Sequence, residues 1–177
     1  VEMDIQNDLE FIETLSELNE QSLLQMKKES PIDHGSAVPL YYILKEGYNG
    51  KVVIFNYSYG TQEKHKNFGK SLKKVADKLQ KKTVLISSGD LSHRLKQGSP
   101  AGYNPKGKDF DQLIYDSIQS GDYSKIENID PLLRENAGEC GYNSLMVAFG
   151  ALDEANRQNK IYSYEAPFGV GYLVATL

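Results

Sequence analysis

The sequence contains a single cysteine, Cys140, among its 177 residues, which excludes an intramolecular disulfide. A chain that does not depend on disulfides suits a reducing compartment. No apolar run approaches the roughly 18 residues that a membrane span needs. No charged-then-apolar signal segment stands at its start either. These absences predict a cytoplasmic protein that does not enter a membrane.

A large excess of charge of one sign is also lacking, because 20 basic and 24 acidic residues give a net charge of −4. A dedicated nucleic-acid surface usually needs a basic excess, so we expect no nucleic-acid partner. Apolar residues make up 40% of the chain, which is enough for a packed core without covalent cross-links. Residues 1–177 are therefore expected to form one domain.

Two short apolar runs, at residues 52–57 and 83–87, have the composition of strands that are buried on both faces. The residues between them, 62–81, follow the pattern of an amphipathic helix. A strand, a helix and a second strand in this order are typical of a parallel βαβ unit. The sequence therefore predicts an α/β fold with a largely parallel central sheet flanked by helices. Other helical patterns cover residues 4–28, 35–44, 109–120 and 138–152, another helix begins at Asp130-Pro131, and closing strands cover residues 161–164 and 170–176.

The segment after the second predicted strand is the strongest candidate for chemistry, and it reads Ser88-Gly89-Asp90-Leu91-Ser92-His93. Ligands of open α/β sheets bind beyond the carboxyl ends of the strands. A histidine such as His93 can take or give a proton near neutral pH. Asp90 can orient its ring, and Ser92 can donate to a substrate oxygen. The alternative is a helix-capping Asp or Ser followed by an ordinary loop histidine.

Glu139 and Cys140 are candidate metal ligands at the start of an apolar helix. A carboxylate or a thiolate entering a buried helix can bind a metal. The alternatives are that Glu139 is a charge that caps the helix and that Cys140 is a small packing residue.

His34, between Asp33 and Gly35, can point into a cleft from a turn that enters a helix. In the alternative reading Asp33 caps that helix and His34 is exposed. Tyr164 and Phe168 can form an aromatic wall that contacts a substrate, or they can simply close the edge of a sheet.

These segments occur in one order, and the set is more specific than any one member. They are Asp33-His34-Gly35 with Val38-Pro39-Leu40, Ser88-Gly89-Asp90-Leu91-Ser92-His93, Ala137-Gly138-Glu139-Cys140-Gly141, and Ser163-Tyr164-Glu165-Ala166-Pro167-Phe168-Gly169-Val170-Gly171-Tyr172. The set resembles the catalytic subunits of class III extradiol ring-cleavage dioxygenases, the LigB-like family. It looks most like the branch found as the first domain of AmmeMemoRadiSam system protein A, and it is similar to Memo-like proteins.

The resemblance implies a non-haem iron(II) site at which a catechol-type small molecule is opened by dioxygen. It implies that His93 is the acid/base residue, that His34 faces the substrate, and that Glu139 or Cys140 is a metal ligand. The family's two metal-binding histidines, one of them in a His-Pro-Pro-type stretch, have no counterpart in this chain. The resemblance therefore predicts a domain that is incomplete at its amino terminus, with the metal expected in the full-length protein, or a domain that has lost metal chemistry.

A Memo-like binding or adaptor domain that uses the same cleft without catalysis is the alternative function. The resemblance is also compatible with a homo-oligomer and with a further carboxy-terminal domain in the full-length protein.

Overall fold

The structure is a computed structural model that describes residue 3 and residues 5–18, 31–152 and 158–177. Two compact units are present, Val1–Ser88 with Val147–Ala151 and Gly89–Met146 with Leu152–Leu177. The helices of the described residues are α1 (Leu9–Leu18), α2 (His34–Lys45), α3 (Gln62–Lys78), α4 (Lys106–Ser120), α5 (Ser124–Glu127), α6 (Pro131–Ala137) and α7 (Tyr142–Ala151), and the strands are β1 (Lys160–Glu165) and β2 (Tyr172–Thr176). None of these helices is both long and apolar enough to cross a bilayer.

The first unit is built on the packing of α1 against α3. Thr61 caps α3 by accepting a hydrogen bond from the backbone N–H of Lys64. The apolar stripe of α3 then faces α1, as its amphipathic pattern predicts. The resulting core consists of Phe11, Leu15, Leu72 and Val75. His65 is buried on the same helix, where its ring nitrogens contact the carbonyl oxygens of Thr61 and Ser58.

Three predicted helices meet the structure to different extents. The prediction over residues 35–44 is confirmed by α2, where Asp33 is the cap and accepts from the N–H of Ser36. Of the pattern over residues 4–28, α1 accounts for residues 9–18, while residue 4 and residues 19–28 lie outside the described residues. The helical pattern at 109–120 is confirmed by α4, which starts three residues earlier.

The predicted parallel central sheet is not seen among the described residues. Val52 forms one parallel bridge with Asn7, and residues 83–87 belong to no strand. The predicted burial of residues 83–87 is wrong, because Val84 is 85% exposed. An apolar composition favours a buried strand only where a neighbouring backbone pairs with its N–H and C=O groups. No such neighbour pairs with Val84, Leu85 or Ile86 within the described ranges.

The second unit packs α4 against α6 and against β1. Asp130 caps α6 by accepting from the N–H of Leu132, and Pro131 follows it in the first turn, as the sequence predicts. Strands β1 and β2 pair antiparallel, from Lys160 opposite Thr176 to Glu165 opposite Tyr172, with one shift of register between Ile161 and Ser163. This pairing confirms the two closing strands. The sheet of the described residues therefore has two antiparallel strands, in place of the parallel sheet that was predicted.

Candidate metal centre

Three of the predicted site residues, Asp90, His93 and Cys140, meet in the second unit. One ligand atom from each lies within 4.8 Å of the other two. Nε2 of His93 is 3.2 Å from Oδ2 of Asp90 and 4.0 Å from Sγ of Cys140. All three residues are partly buried. We call these three residues the ligand cluster.

Two glycines bring the loop that begins at Gly89 against the start of α7. A Cβ atom placed on Gly89 would lie 2.4 Å from Cα of Gly141, which is closer than real Cβ contacts. The carbonyl oxygen of Asp90 accepts from the backbone N–H groups of Cys140, at 3.3 Å, and Gly141, at 3.0 Å. The N–H of Asp90 in turn donates to Sγ of Cys140 at 3.2 Å. Backbone contact, and not side-chain reach alone, therefore sets the distance between Asp90 and Cys140.

The ring of His93 is oriented by the end of α6. Its backbone N–H donates to the carbonyl of Ala137 at 3.1 Å, and Nδ1 lies against the carbonyl oxygen of Gly138. A carbonyl only accepts, so Nδ1 carries the proton of a neutral ring. The lone pair of Nε2 then points toward Asp90 and Cys140. Because Asp90 offers only acceptors when it is ionised, this arrangement calls for a proton or a metal ion at Nε2.

Burial raises the pKa of the Cys140 thiol, and the negative charges of Asp90 and Glu139 raise it further, against the N–H of Asp90 that lowers it. The thiol is therefore protonated near neutral pH when no cation is nearby. A metal ion reverses this balance, because a coordinated thiol loses its proton.

Glu139 is held away from the ligand cluster by its own partners. Oε1 accepts from Nε of Arg134 at 3.0 Å and from Nη2 at 2.8 Å. Oε2 accepts from the backbone N–H of Tyr142 at 2.7 Å, at the start of α7. The Arg134 guanidinium also stacks on the Tyr142 ring, 3.5 Å from its centre. Both oxygens are thus engaged in capping and pairing, and this geometry favours Cys140 over Glu139 as the ligand.

Ser92, predicted to contact a substrate, is fully buried. Its hydroxyl donates to the carbonyl of Ala137 at 2.9 Å and accepts from the N–H of Arg94 at 3.0 Å. This geometry favours a role in holding the loop over contact with a substrate.

The remaining predicted residues occupy three different settings. The hydroxyl of Tyr164 donates to Oδ2 of Asp111 at 2.7 Å, and its ring meets Tyr115 edge to face. Phe168 is 70% exposed in the turn after β1. His34 is exposed at the first position of α2, in the first unit, as in the alternative reading of that segment.

Asp111 is a functional candidate that the sequence reasoning missed. It is 2% exposed and accepts from the N–H of Ser92 at 2.8 Å and from Tyr164. Burial raises its pKa to about 6, although the two hydrogen bonds and the charge of His93 act in the opposite direction. A signal was present, because Asp111 shares the inward stripe of α4 with Phe110, Ile114 and Ile118. Aspartate is almost never fully buried unless it is paired, so an acid on the inward stripe of a helix indicates a buried carboxylate with specific partners.

Two comparisons with known proteins bear on this site. The family described as "Catalytic LigB subunit of aromatic ring-opening dioxygenase" matches residues 1–175. A curated protein of Clostridium acetobutylicum, called Protein CA_C1420, is 40% identical over 146 residues. The aligned part covers 82% of this chain and 31% of that relative, so the chain spans about a third of the relative's length.

Proposed function

The chain belongs to the family of the catalytic LigB subunit of aromatic ring-opening dioxygenases, and we propose from this membership that it serves metal-dependent ring-opening of a catechol-type small molecule. The observation that carries the proposal is the convergence of Asp90, His93 and Cys140. The part aligned with this chain is only 31% of the relative's length. The activity of the whole protein is therefore itself a proposal.

The donors of the ligand cluster fit a divalent transition metal. Imidazole nitrogen, thiolate sulfur and carboxylate oxygen are the ligands of protein-bound zinc, and iron(II) sites of oxygenases use three protein ligands and leave positions open. Nε2 of His93 and the carboxylate of Asp90 face each other as they would around a cation. Iron(II) held there would supply the position at which the diol oxygens and dioxygen come together. The chain's own residues would hold the metal, orient the imidazole and keep part of the site from water.

A second role for His93 is proton transfer, with Cys140 and Asp90 remaining as metal ligands. The 3.2 Å separation of Nε2 from Oδ2 of Asp90 suits a hydrogen bond as well as two ligands of one cation, so this distance is compatible with either role. The two roles make different predictions for the variant His93→Ala. Loss of metal binding supports the role as a ligand, whereas retained metal with lost oxygen uptake supports the acid/base role.

The same family membership supports the parallel central sheet as a proposal about the fold. Residues 52–57 and 83–87 would be strands of this sheet if the N–H and C=O groups of other segments formed hydrogen bonds with them. The apolar side chains of Val84, Leu85 and Ile86, which are exposed, are consistent with such pairing.

Metal binding by the ligand cluster is tested by titrating cobalt(II) into the protein and recording absorbance. We expect one equivalent to bind with a near-ultraviolet band that reports cobalt–thiolate ligation. Cys140→Ala is expected to remove the band and weaken binding by more than about 100-fold, because even the groups that only support ligands contribute about 10–100-fold. The neighbouring variant Glu139→Gln is the matched control and should stay within about threefold of the wild type, which is less than 1 kcal/mol.

A full-length wild type that binds no divalent metal would rule out the metal-dependent function. Equal binding by Cys140→Ala and the wild type would exclude Cys140 as a ligand, and a loss confined to Glu139→Gln would select the carboxylate instead. Oxygen uptake by the iron-loaded full-length protein with a panel of diols then tests the reaction itself.

A further inference from the structure

Three elements of the second unit meet at the carboxylate of Asp111. Asp111 lies on α4, and its Oδ1 accepts from the backbone N–H of Ser92, in the loop that carries two members of the ligand cluster. Its Oδ2 accepts from the hydroxyl of Tyr164 on β1. Asp111 is only 2% exposed, so water cannot take the place of these two hydrogen-bond donors at its carboxylate. The buried amide of Ser92 therefore depends on this one side chain.

The backbone on either side of Ser92 is fixed by a short series of hydrogen bonds. Leu91 donates to the carbonyl of Gly171 at 2.9 Å, Gly171 donates to the carbonyl of Ser92 at 2.9 Å, and His93 donates to the carbonyl of Ala137 at 3.1 Å. The N–H of Ser92 is the member of this series that is bound by a side chain. Displacing Ser92 displaces Asp90 and His93, because they flank it closely in the chain.

Gly171 gives independent evidence that space is reserved for the Asp111 carboxylate. A Cβ atom placed on Gly171 would lie 2.0 Å from Oδ2 of Asp111. The bend between β1 and β2 can thus contact the loop and the carboxylate at once only because residue 171 has no side chain. The bend, α4 and the loop form one packed arrangement around the acid.

We propose that Asp111 is a positioning residue for the ligand cluster, in which its carboxylate, oriented by the Tyr164 hydroxyl, holds the Ser92 amide and thereby places His93 and Asp90. The inference rests on the proposed metal-binding function of that cluster. In this inference Tyr164 orients the Asp111 carboxylate through its hydroxyl, in place of the predicted contact with a substrate. The competing view is that Asp111 stabilises the fold and leaves the cluster unaffected.

Two substitutions of Asp111 separate these views. In Asp111→Asn the amide oxygen can accept from Ser92 and the amide NH2 can donate to the oxygen of Tyr164, so the positioning is kept. In Asp111→Ala the buried amide of Ser92 and the hydroxyl of Tyr164 both lose this partner. Asp8→Ala is the matched control, because Asp8 is also a buried carboxylate, accepts from the N–H of Phe11 and pairs with Lys81, but lies in the first unit.

The experiment measures cobalt(II) affinity and its thiolate band for the full chain and these variants. We expect Asp111→Ala to weaken binding at least about tenfold and to shift the band, as loss of groups that orient ligands does. Asp111→Asn and Asp8→Ala should stay within about threefold of the wild type. Equal weakening by Asp111→Ala and Asp8→Ala, or none by Asp111→Ala, would overturn the inference. Should Asp111→Ala not fold, Tyr164→Phe removes one of the two contacts and is expected to weaken binding by a smaller factor.

Amide hydrogen exchange separates failure of this inference from failure of the metal function. A full-length wild type that binds no cobalt refutes the proposed function, and exchange at Ser92 and His93 still tests the positioning. Exchange there is expected to be at least about tenfold faster in Asp111→Ala than in Asp111→Asn or Asp8→Ala. Identical exchange in all three variants would show that Asp111 does not hold the loop.

Discussion

Replacing Gly89 with alanine is expected to disrupt the ligand cluster and to destabilise the second unit by about 3 kcal/mol, the upper part of the range for overpacking a close contact. The added Cβ would lie 2.4 Å from Cα of Gly141 and 3.0 Å from the carbonyl oxygen of Cys140. Both are backbone atoms, so no side chain can rotate away to make room. The loop and the start of α7 must separate, and Asp90 then moves away from Cys140.

Urea unfolding and cobalt titration of Gly89→Ala measure the two effects. Gly35→Ala is the matched control, because the nearest atoms to an added Cβ lie at 3.7 and 3.9 Å, which is ordinary contact. Gly35 is the second residue of α2, where alanine favours the helix, so the control should be neutral or slightly stabilising. If Gly89→Ala unfolds at the same urea concentration as the wild type and keeps its cobalt affinity, the close backbone approach is not what forms the cluster.

Replacing Asp111 with asparagine is expected to stabilise the protein above pH 6 by up to about 3 kcal/mol and to have little effect near pH 4. Burial raises the pKa of Asp111 from its ordinary 3.8 to about 6 in the folded protein. The folded state therefore holds this proton more tightly than the unfolded state does. The stability that the protonated Asp111 side chain contributes is complete below about pH 4 and is lost as the pH rises through 6. The difference between the two pKa values corresponds to about 3 kcal/mol of free energy. Asparagine cannot ionise and avoids this loss.

The measurement is the free energy of unfolding of Asp111→Asn and of the wild type at several pH values from 4 to 8. The informative quantity is how their difference changes with pH, since any constant effect of the substitution cancels. His93 and Tyr164 are the titratable groups that interact with Asp111 across the loop and from β1. Asp116→Asn, on the exposed side of α4, controls for the loss of one negative charge from that helix. A difference that stays constant across this range would show that the pKa of Asp111 is not raised.

The sequence picked out the residues of the ligand cluster, but it did not indicate the contacts that bring them together. The members of the ligand cluster belong to motifs that stand out locally, as do the caps Asp33 and Asp130. Their convergence depends on the contact between Gly89 and Gly141, which are about fifty residues apart, and no local pattern encodes that contact. The same holds for Ser92, whose hydroxyl reads as exposed and reactive in a loop but is buried by Gly107 and α6.

The parallel sheet could not be predicted reliably because strand formation depends on neighbours. Residues 83–87 have the composition of an inner strand, whereas Val84 is exposed and forms no backbone hydrogen bond among the described residues. The antiparallel pair β1 and β2 was predictable because a short bend joins its strands and makes them neighbours in sequence.

The run of Val84, Leu85 and Ile86 has a consequence for the chain in concentrated solution. Each molecule presents the same three apolar side chains and the same unbonded backbone groups, so two molecules can satisfy each other's edges. Such pairing is second order in protein, so it grows steeply during purification and concentration. We therefore expect light scattering and yield of the isolated chain to depend on a segment that contributes no atom to the ligand cluster.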